Sequence, residues 1–418
     1  MEKEPGKPGT RRDVGIWGAS FLALNGMIGA GIFGLPGTLD AAVGSFAPWL
    51  LLLAGLGVML IVLCYADLAS RFDASGGPQL YAGKAFGKFI GFQAGWMLYA
   101  ARSAALAANA NVLAAYAGVL WPPLDGPLTI VVTIAAITII NIVGIRWAVD
   151  ALGGMTMLKL TPLLLIGALG LVLAPIPVPR LPDFTAAEGV ALVALYAFVG
   201  FEASTIPAGE TRDPKAAIPR ALLLTVAGVT LLYVVVQLAY SASDIGESSA
   251  PLADLAAKSL GPAGALLLGI TAIISVLANQ LSAVTSISRI TSSLADEHLL
   301  PRWFGRISPR YATPANSILV VGGIGMALAL TGTFVTLAVI STSSRLFTYL
   351  ACIAAVPRLD YLEGKIRWAR GVLLPLAAGL LCVWAVSHSN AGEWRGLLGF
   401  LLFGTFLYVA ARLGRKIA

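Results

Sequence analysis

The sequence predicts an all-α membrane protein with twelve transmembrane helices, and three observations carry that prediction. Of its 418 residues, 58% are hydrophobic and 12% charged, roughly half the charged share of an ordinary soluble domain. The apolar residues fall in blocks of about 20 or more, enough for a helix to cross a hydrocarbon core. Lysine and arginine crowd alternate connections between these blocks, the asymmetry that sets orientation in a bilayer.

The predicted spans cover 15–41, 46–70, 89–120, 128–149, 156–174, 188–209, 218–241, 262–294, 314–331, 334–356, 369–387 and 395–413. With a cytoplasmic N-terminus, the inward connections hold Lys3, Lys7, Arg11, Arg12, Arg71, Lys84, Lys88, Arg146, Arg212, Lys215 and Arg220. Further along they hold Arg302, Arg306, Arg310, Arg358, Lys365, Arg367, Arg370, Arg412, Arg415 and Lys416, whereas the outward ones hold only Arg180, Lys258 and Arg395. Shifting the count by one span scrambles this pattern, so both termini are expected inside. The third and eighth spans exceed the minimum length and imply tilt or extension beyond the lipid. The longest outward connection, 242–261, carries Asp244, Glu247 and Asp254 and is expected to form a small surface helix. The first ten residues are polar, so the first span is expected to be its own insertion signal rather than a cleaved leader. The chain reads as one polytopic unit, 1–418, in a plasma membrane, the inner membrane of a bacterium.

Composition excludes several functions. The net charge of +7 is not gathered on a soluble face, so no nucleic-acid partner is expected. Cys64, Cys352 and Cys382 lie in apolar blocks without pairing or metal spacing, and His298 and His388 stand far apart. Neither a metal nor another cofactor is expected. No phosphate-binding loop of the Gly-x-x-x-x-Gly-Lys-Ser/Thr type occurs, so any energy source is a gradient. An enzyme needs a catalytic constellation at membrane depth, yet Glu202 is the one deep carboxylate and no histidine lies deep. A sensor is expected to carry a signalling domain or long tail, and the tails here are short.

Two interruptions point to function. Residues 25–37, Asn-Gly-Met-Ile-Gly-Ala-Gly-Ile-Phe-Gly-Leu-Pro-Gly, sit in the middle of the first span. Lipid cannot satisfy freed backbone groups, so such a break survives only where it is buried or lines a cavity. Beyond it, the N–H groups of Ala30 and Gly31 open a new half-helix whose positive end favours a carboxylate. Before it, carbonyls near Gly26 and Met27 favour an ammonium. The pattern implies a carrier of small zwitterions. Close helix packing by small residues is the alternative, and it accounts less well for Gly26, Gly29, Gly31, Gly34 and Gly37 gathered around Pro36. The second interruption is Tyr196-Ala-Phe-Val-Gly-Phe-Glu-Ala-Ser-Thr-Ile-Pro207 in the sixth span. Spans one and six lie five apart and run in opposite directions. That placement suggests two inverted five-helix repeats, about 15–174 and 188–356, followed by two further helices at 369–413.

Among the charged residues inside the spans, Arg102, Lys159, Glu202 and Arg345 stand out. A charge at that depth costs at least about 2.5 kcal/mol on insertion scales and marks function by default. Lys159, one turn into its span, has the alternative of snorkelling to the surface. Arg102 and Glu202 are expected to pair, whether to hold helices together or to serve a site. Asn109 and Asn111, with Asn279, Gln280, Ser282, Thr285, Ser286 and Ser288, either bond neighbouring helices or line the cavity. Tyr196 either caps a ligand or packs.

At these residues the chain resembles the amino acid–polyamine–organocation (APC) family of amino-acid transporters. Met27-Ile-Gly-Ala-Gly-Ile-Phe33 is similar to the family's first-helix signature. Gly200-Phe-Glu-Ala-Ser, with Glu210-Thr-Arg-Asp-Pro-Lys-Ala-Ala-Ile-Pro-Arg-Ala221, resembles its sixth-helix break and following inner loop. Leu294-Ala-Asp-Glu-His-Leu-Leu-Pro301 resembles the inner end of its eighth helix. The resemblance spans essentially the whole chain. It implies a LeuT-like five-plus-five inverted repeat with discontinuous helices 1 and 6. It implies an amino-acid substrate whose carboxylate meets the N–H groups of Ala30 and Gly31, and whose amino group meets carbonyls of Met27, Tyr196 and Val199. Glu202, facing Arg102, looks like the gating carboxylate. Lys159 matches a fifth-helix lysine whose ammonium replaces sodium, which implies sodium independence and a proton as partner. Tyr196 stands where arginine–agmatine exchangers carry Trp, and a small residue near Ala283 replaces a second Trp, so that subgroup is disfavoured. The expected activity is proton-coupled uptake of L-amino acids, neutral ones favoured, with amino-acid exchange the runner-up.

Overall fold

A computed structural model describes residues 15–144, 152–173, 178–365 and 367–417. The expectations placed on the first fourteen residues, on Arg146 and on 174–177 lie outside these. The described residues form α-helices and short tighter or wider turns, with no strand among them. In chain order the helices are α1 (Ile16–Met27), α2 (Ala30–Val43), α3 (Ala47–Arg71), α4 (Pro78–Phe86), α5 (Lys88–Leu120), α6 (Pro127–Val143), α7 (Leu152–Leu173) and α8 (Phe184–Gly189). They continue as α9 (Ala191–Tyr196), α10 (Pro214–Ala242), α11 (Pro251–Leu260), α12 (Pro262–Asp296), α13 (Ala315–Thr331), α14 (Phe334–Leu362), α15 (Leu374–Ser387) and α16 (Ala391–Ile417). Helices α4, α6, α10, α11 and α12 each begin at proline, whose missing N–H is one that a first turn leaves unpaired anyway.

Seven of the described helical stretches are long and apolar enough to cross a membrane, and five shorter apolar helices accompany them. The chain is therefore an integral membrane protein by length and composition. Its packing is inside-out relative to a soluble domain. Leu128, Val172, Leu224, Leu231 and Leu402 stand exposed on its outside, where lipid makes apolar exposure harmless. Its interior holds polar groups: Ser341 to Arg345 on α14 form an unbroken buried polar run, and Asn109 on α5 and Gln280 on α12 are also buried. Helix α5 packs against α12, α13 and α14 and forms the central post on which the site is hung.

Connections expected on the same side of the membrane meet one another. The Arg180 N–H donates to Ser45 Oγ (3.1 Å) and His388 pairs with Glu188 (3.1 Å); Ser45, Arg180 and His388 are on connections expected outside, and Glu188 opens the sixth span at that end. At the opposite end, the Gly209 N–H donates to Ser75 Oγ (3.1 Å) and Arg367 pairs with Asp67 (2.6 Å).

Two local readings need correction. The 242–261 connection does hold a helix, α11, but it is not a surface feature: Pro251, Leu252, Ala253, Leu255 and Ala256 are buried, and the Leu252 N–H donates to Tyr116 Oη (3.0 Å). Its charged residues disguised a buried apolar face. Helix α4, within an inward connection, was not anticipated, because nine residues opening at proline read as a loop.

Candidate functional site

The first break falls where the glycines place it. Helix α1 ends at Met27 and α2 begins at Ala30, with Ile28 and Gly29 between them out of helical geometry. Its freed backbone groups have identifiable partners, as burial requires. Asn279 Nδ2 donates to the carbonyls of Asn25 (2.5 Å) and Gly26 (3.1 Å). The Met27 carbonyl accepts from Tyr233 Oη (3.2 Å) and the Gly29 N–H (3.0 Å). The Ile28 carbonyl accepts from Lys159 Nζ (3.0 Å). On the far side of the break, the Ala30 N–H donates to Asn109 Oδ1 (2.8 Å). No such side-chain acceptor meets the Gly31 N–H among the described residues. A side-chain carbonyl thus stands on the positive end of α2, and a side-chain NH2 on the negative end of α1.

The second break lies against the first. Helix α9 ends at Tyr196, and Phe201–Thr205 resumes as a short, tight helix. Gly200 between them has φ +109°, a conformation open to glycine and strained for other residues. A side chain at Gly26 would collide with the Gly200 carbonyl, and one at Gly200 with the Gly26 carbonyl. Two glycines are therefore what allow the two interrupted helices to cross backbone on backbone.

Glu202, in the first turn of the resumed helix, is fully buried. Its carboxylate accepts from Arg102 Nη2 (3.0 Å), Arg345 Nε (3.2 Å), Tyr349 Oη (2.9 Å) and the N–H of Gly200 (3.0 Å). The expected Arg102–Glu202 pair is present, but it is a triad with a second arginine. Arg345 also donates to Ser341 Oγ. Ser341, Arg345 and Tyr349 are spaced four apart and share one face of α14. That spacing was the signal available in the sequence for Arg345 and Tyr349, neither of which had been joined to Glu202.

Lys159 does not snorkel. It is 1% exposed and reaches the first break, donating to Asn25 Oδ1 (2.8 Å) as well as to Ile28.

Met27, Ala30, Gly31, Tyr196 and Val199, the five residues expected to bind a substrate, line one buried cavity. Arg102 and Arg345 line it too, and Asn109 and Asn279 reach into it. Its volume is about 20 Å³, room for roughly one water, so this conformation is contracted around the site. The cavity brings the backbone groups of the first break and the two guanidinium groups to one buried place. Among the described residues no cluster of histidine, cysteine or carboxylate groups could hold a metal.

A buried polar chamber between two broken helices of an integral membrane protein is an arrangement in which transporters build their sites. Comparison with known proteins agrees: residues 14–404 match the amino acid permease family, and the chain belongs to that family. It is 30% identical to an uncharacterized transporter of Mycobacterium tuberculosis (strain ATCC 25618 / H37Rv) over 93% of this chain and 89% of the relative. An uncharacterized transporter of Mycobacterium bovis gives the same figures. A cadaverine/lysine antiporter of Escherichia coli (strain K12) is 27% identical over 71% of this chain and 70% of its own length.

Proposed function

We propose that this transporter carries L-amino acids across the plasma membrane by alternating access, in symport with protons and without sodium. In this reading the chain crosses the bilayer twelve times as two inverted five-helix repeats plus two helices, with both termini in the cytoplasm. The observation that supports it best is the pair of side-chain amides at the first break. Asn109 Oδ1 rests on the α2 N-terminus and Asn279 Nδ2 on the α1 carbonyls. These are the chemical stand-ins for a carboxylate and an ammonium, so an amino acid entering a widened cavity exchanges like for like. The α-carboxylate takes the N–H groups of Ala30 and Gly31, and the amino group takes carbonyls of Met27, Tyr196 and Val199.

Lys159 supplies the coupling. Its ammonium holds two oxygens, of Asn25 and Ile28, that otherwise suit a sodium ion. Release of its proton frees those oxygens and loosens the break, linking protonation to conformation. Glu202, tied to α5 and α14 at once, acts as the gate. An exchanger is the second reading: the two hydrogen bonds on Lys159 also suit a permanently charged strut, and one relative is named an antiporter. Proteoliposomes, either empty or preloaded with unlabelled amino acids and given labelled ones outside, separate the two. Uptake driven by an inward proton gradient into empty vesicles supports symport, and strict dependence on internal amino acid supports exchange.

A further inference from the structure

An Arg102–Glu202 pair alone is neutral and suits a passenger with a neutral side chain. The structure adds Arg345, and the count changes. Two guanidinium groups share one carboxylate: Arg102 is 4% exposed, Arg345 1% and Glu202 0%. Among the described residues no second carboxylate lies within ion-pair distance of either arginine. Tyr349 contributes a neutral hydroxyl. Glu202 already accepts four hydrogen bonds, about the capacity of a carboxylate, so it has nothing left for the remaining guanidinium N–H groups. Both arginines line the same cavity as the first break. Lys159, on the other side of that break, adds a further cation without a carboxylate partner in its hydrogen bonds.

We propose that the preferred passenger carries a second carboxylate, as aspartate and glutamate do, and that its side-chain carboxylate pairs with Arg102 and Arg345 while its α-groups occupy the first break. This rests on the reading of the break as the zwitterion site. A neutral amino acid leaves the surplus charge of the triad unmet. An acidic one balances it with a charge-assisted, geometrically directed contact. A cationic one meets two like charges and is repelled, which is specificity by a repulsive element. The passengers named for the Escherichia coli relative are therefore expected to be rejected here. A free anion such as chloride is the other source of negative charge at the same place.

The test uses the full chain in proteoliposomes, with L-glutamate, L-aspartate, their amide counterparts L-glutamine and L-asparagine, and L-lysine, each with and without chloride (sulfate replacing it). The proposal expects one of the two acids to be taken up with an apparent affinity at least tenfold above its own amide, L-lysine to be excluded, and chloride to have no effect. In Arg345→Gln the acid-to-amide ratio is expected to fall toward one. The wild-type ratio decides the matter even if that variant does not fold. Amides carried as well as the acids overturn the proposal, and so does neutral uptake that requires chloride. In both cases the break still binds amino acids. If no amino acid of any charge is bound or carried, the reading of the break itself fails.

Discussion

The protein contains two arginine–carboxylate clusters, and they are built on opposite plans. At the Lys/Arg-rich end of the bundle, Asp67 and Asp360 are met by Arg71 and Arg367: Arg71 reaches Asp67 and Asp360, and Arg367 reaches both as well. The signs balance, two against two, and Glu363 with Lys365 adds one of each at its edge. Arg367 is one-third exposed there, and hydrogen bonds to Asp67, then to Asp360, hold its guanidinium above its ordinary pKa. This cluster ties α3 to α14 and to the turn before α15. At membrane depth the Glu202 cluster is sealed and unbalanced, two cations against one carboxylate. The balanced cluster, with Arg367 one-third exposed, acts as a clamp between helices. The unbalanced one beside a cavity is, on the proposal above, a socket for a further carboxylate.

The largest expected effect is at the socket. Replacing Glu202 by Gln leaves two buried guanidinium groups facing each other, an uncompensated burial that costs on the order of 3–5 kcal/mol. The melting temperature is expected to drop sharply. Transport turnover is expected to fall further than passenger affinity, since a gate acts in the conformational step. Equal loss of both in folded protein would assign Glu202 to the passenger directly. Next comes Lys159→Ala, which is expected to abolish the dependence of uptake on pH. A pH profile unchanged from wild type would remove the lysine from the coupling. At the clamp, Arg367→Gln leaves Arg71 to serve both carboxylates and is expected to cost about 1 kcal/mol or less, shrinking as salt rises. A loss as large as that of Glu202→Gln would erase the contrast between the clusters.

The smallest effect concerns His388, which is raised above its ordinary pKa by the Trp384 carbonyl and then by Glu188. A raised folded-state pKa means that the protonated pair stabilises fully below about pH 6.5, the unfolded histidine value, and fades as pH rises through the folded value. Wild type is expected to exceed His388→Gln by only about a few tenths of a kcal/mol at pH 5.5 and by less at pH 8. Melting curves at the two pH values check the sign.

The two breaks were legible because glycine and proline write them locally: Gly26, Gly29 and Gly31 for the first, Gly200 for the second. The deep charges were legible one by one, since each is anomalous in an apolar span. Their assembly was not. Arg345 and Glu202 are 143 positions apart, and nothing in either segment names the other. Tyr349 was hidden because an aromatic residue in a membrane helix reads as packing. Asn109 and Asn279 were seen as polar yet unassigned, since an amide at membrane depth serves a neighbouring helix as readily as a cavity. Tertiary packing made that choice by setting both amides against the first break. The same packing left Asn111, two residues from Asn109, bonded to its own helix and to α13.

The central claim is that peptide dipoles at the two breaks grip both ends of an amino acid. Competition against uptake of the best-carried amino acid tests it directly, using that compound's α-methyl ester, which lacks the carboxylate, and its N-acetyl derivative, which lacks the ammonium. The account predicts that each derivative competes at least a hundredfold more weakly than the parent. Competition by either one at the parent's strength would contradict it.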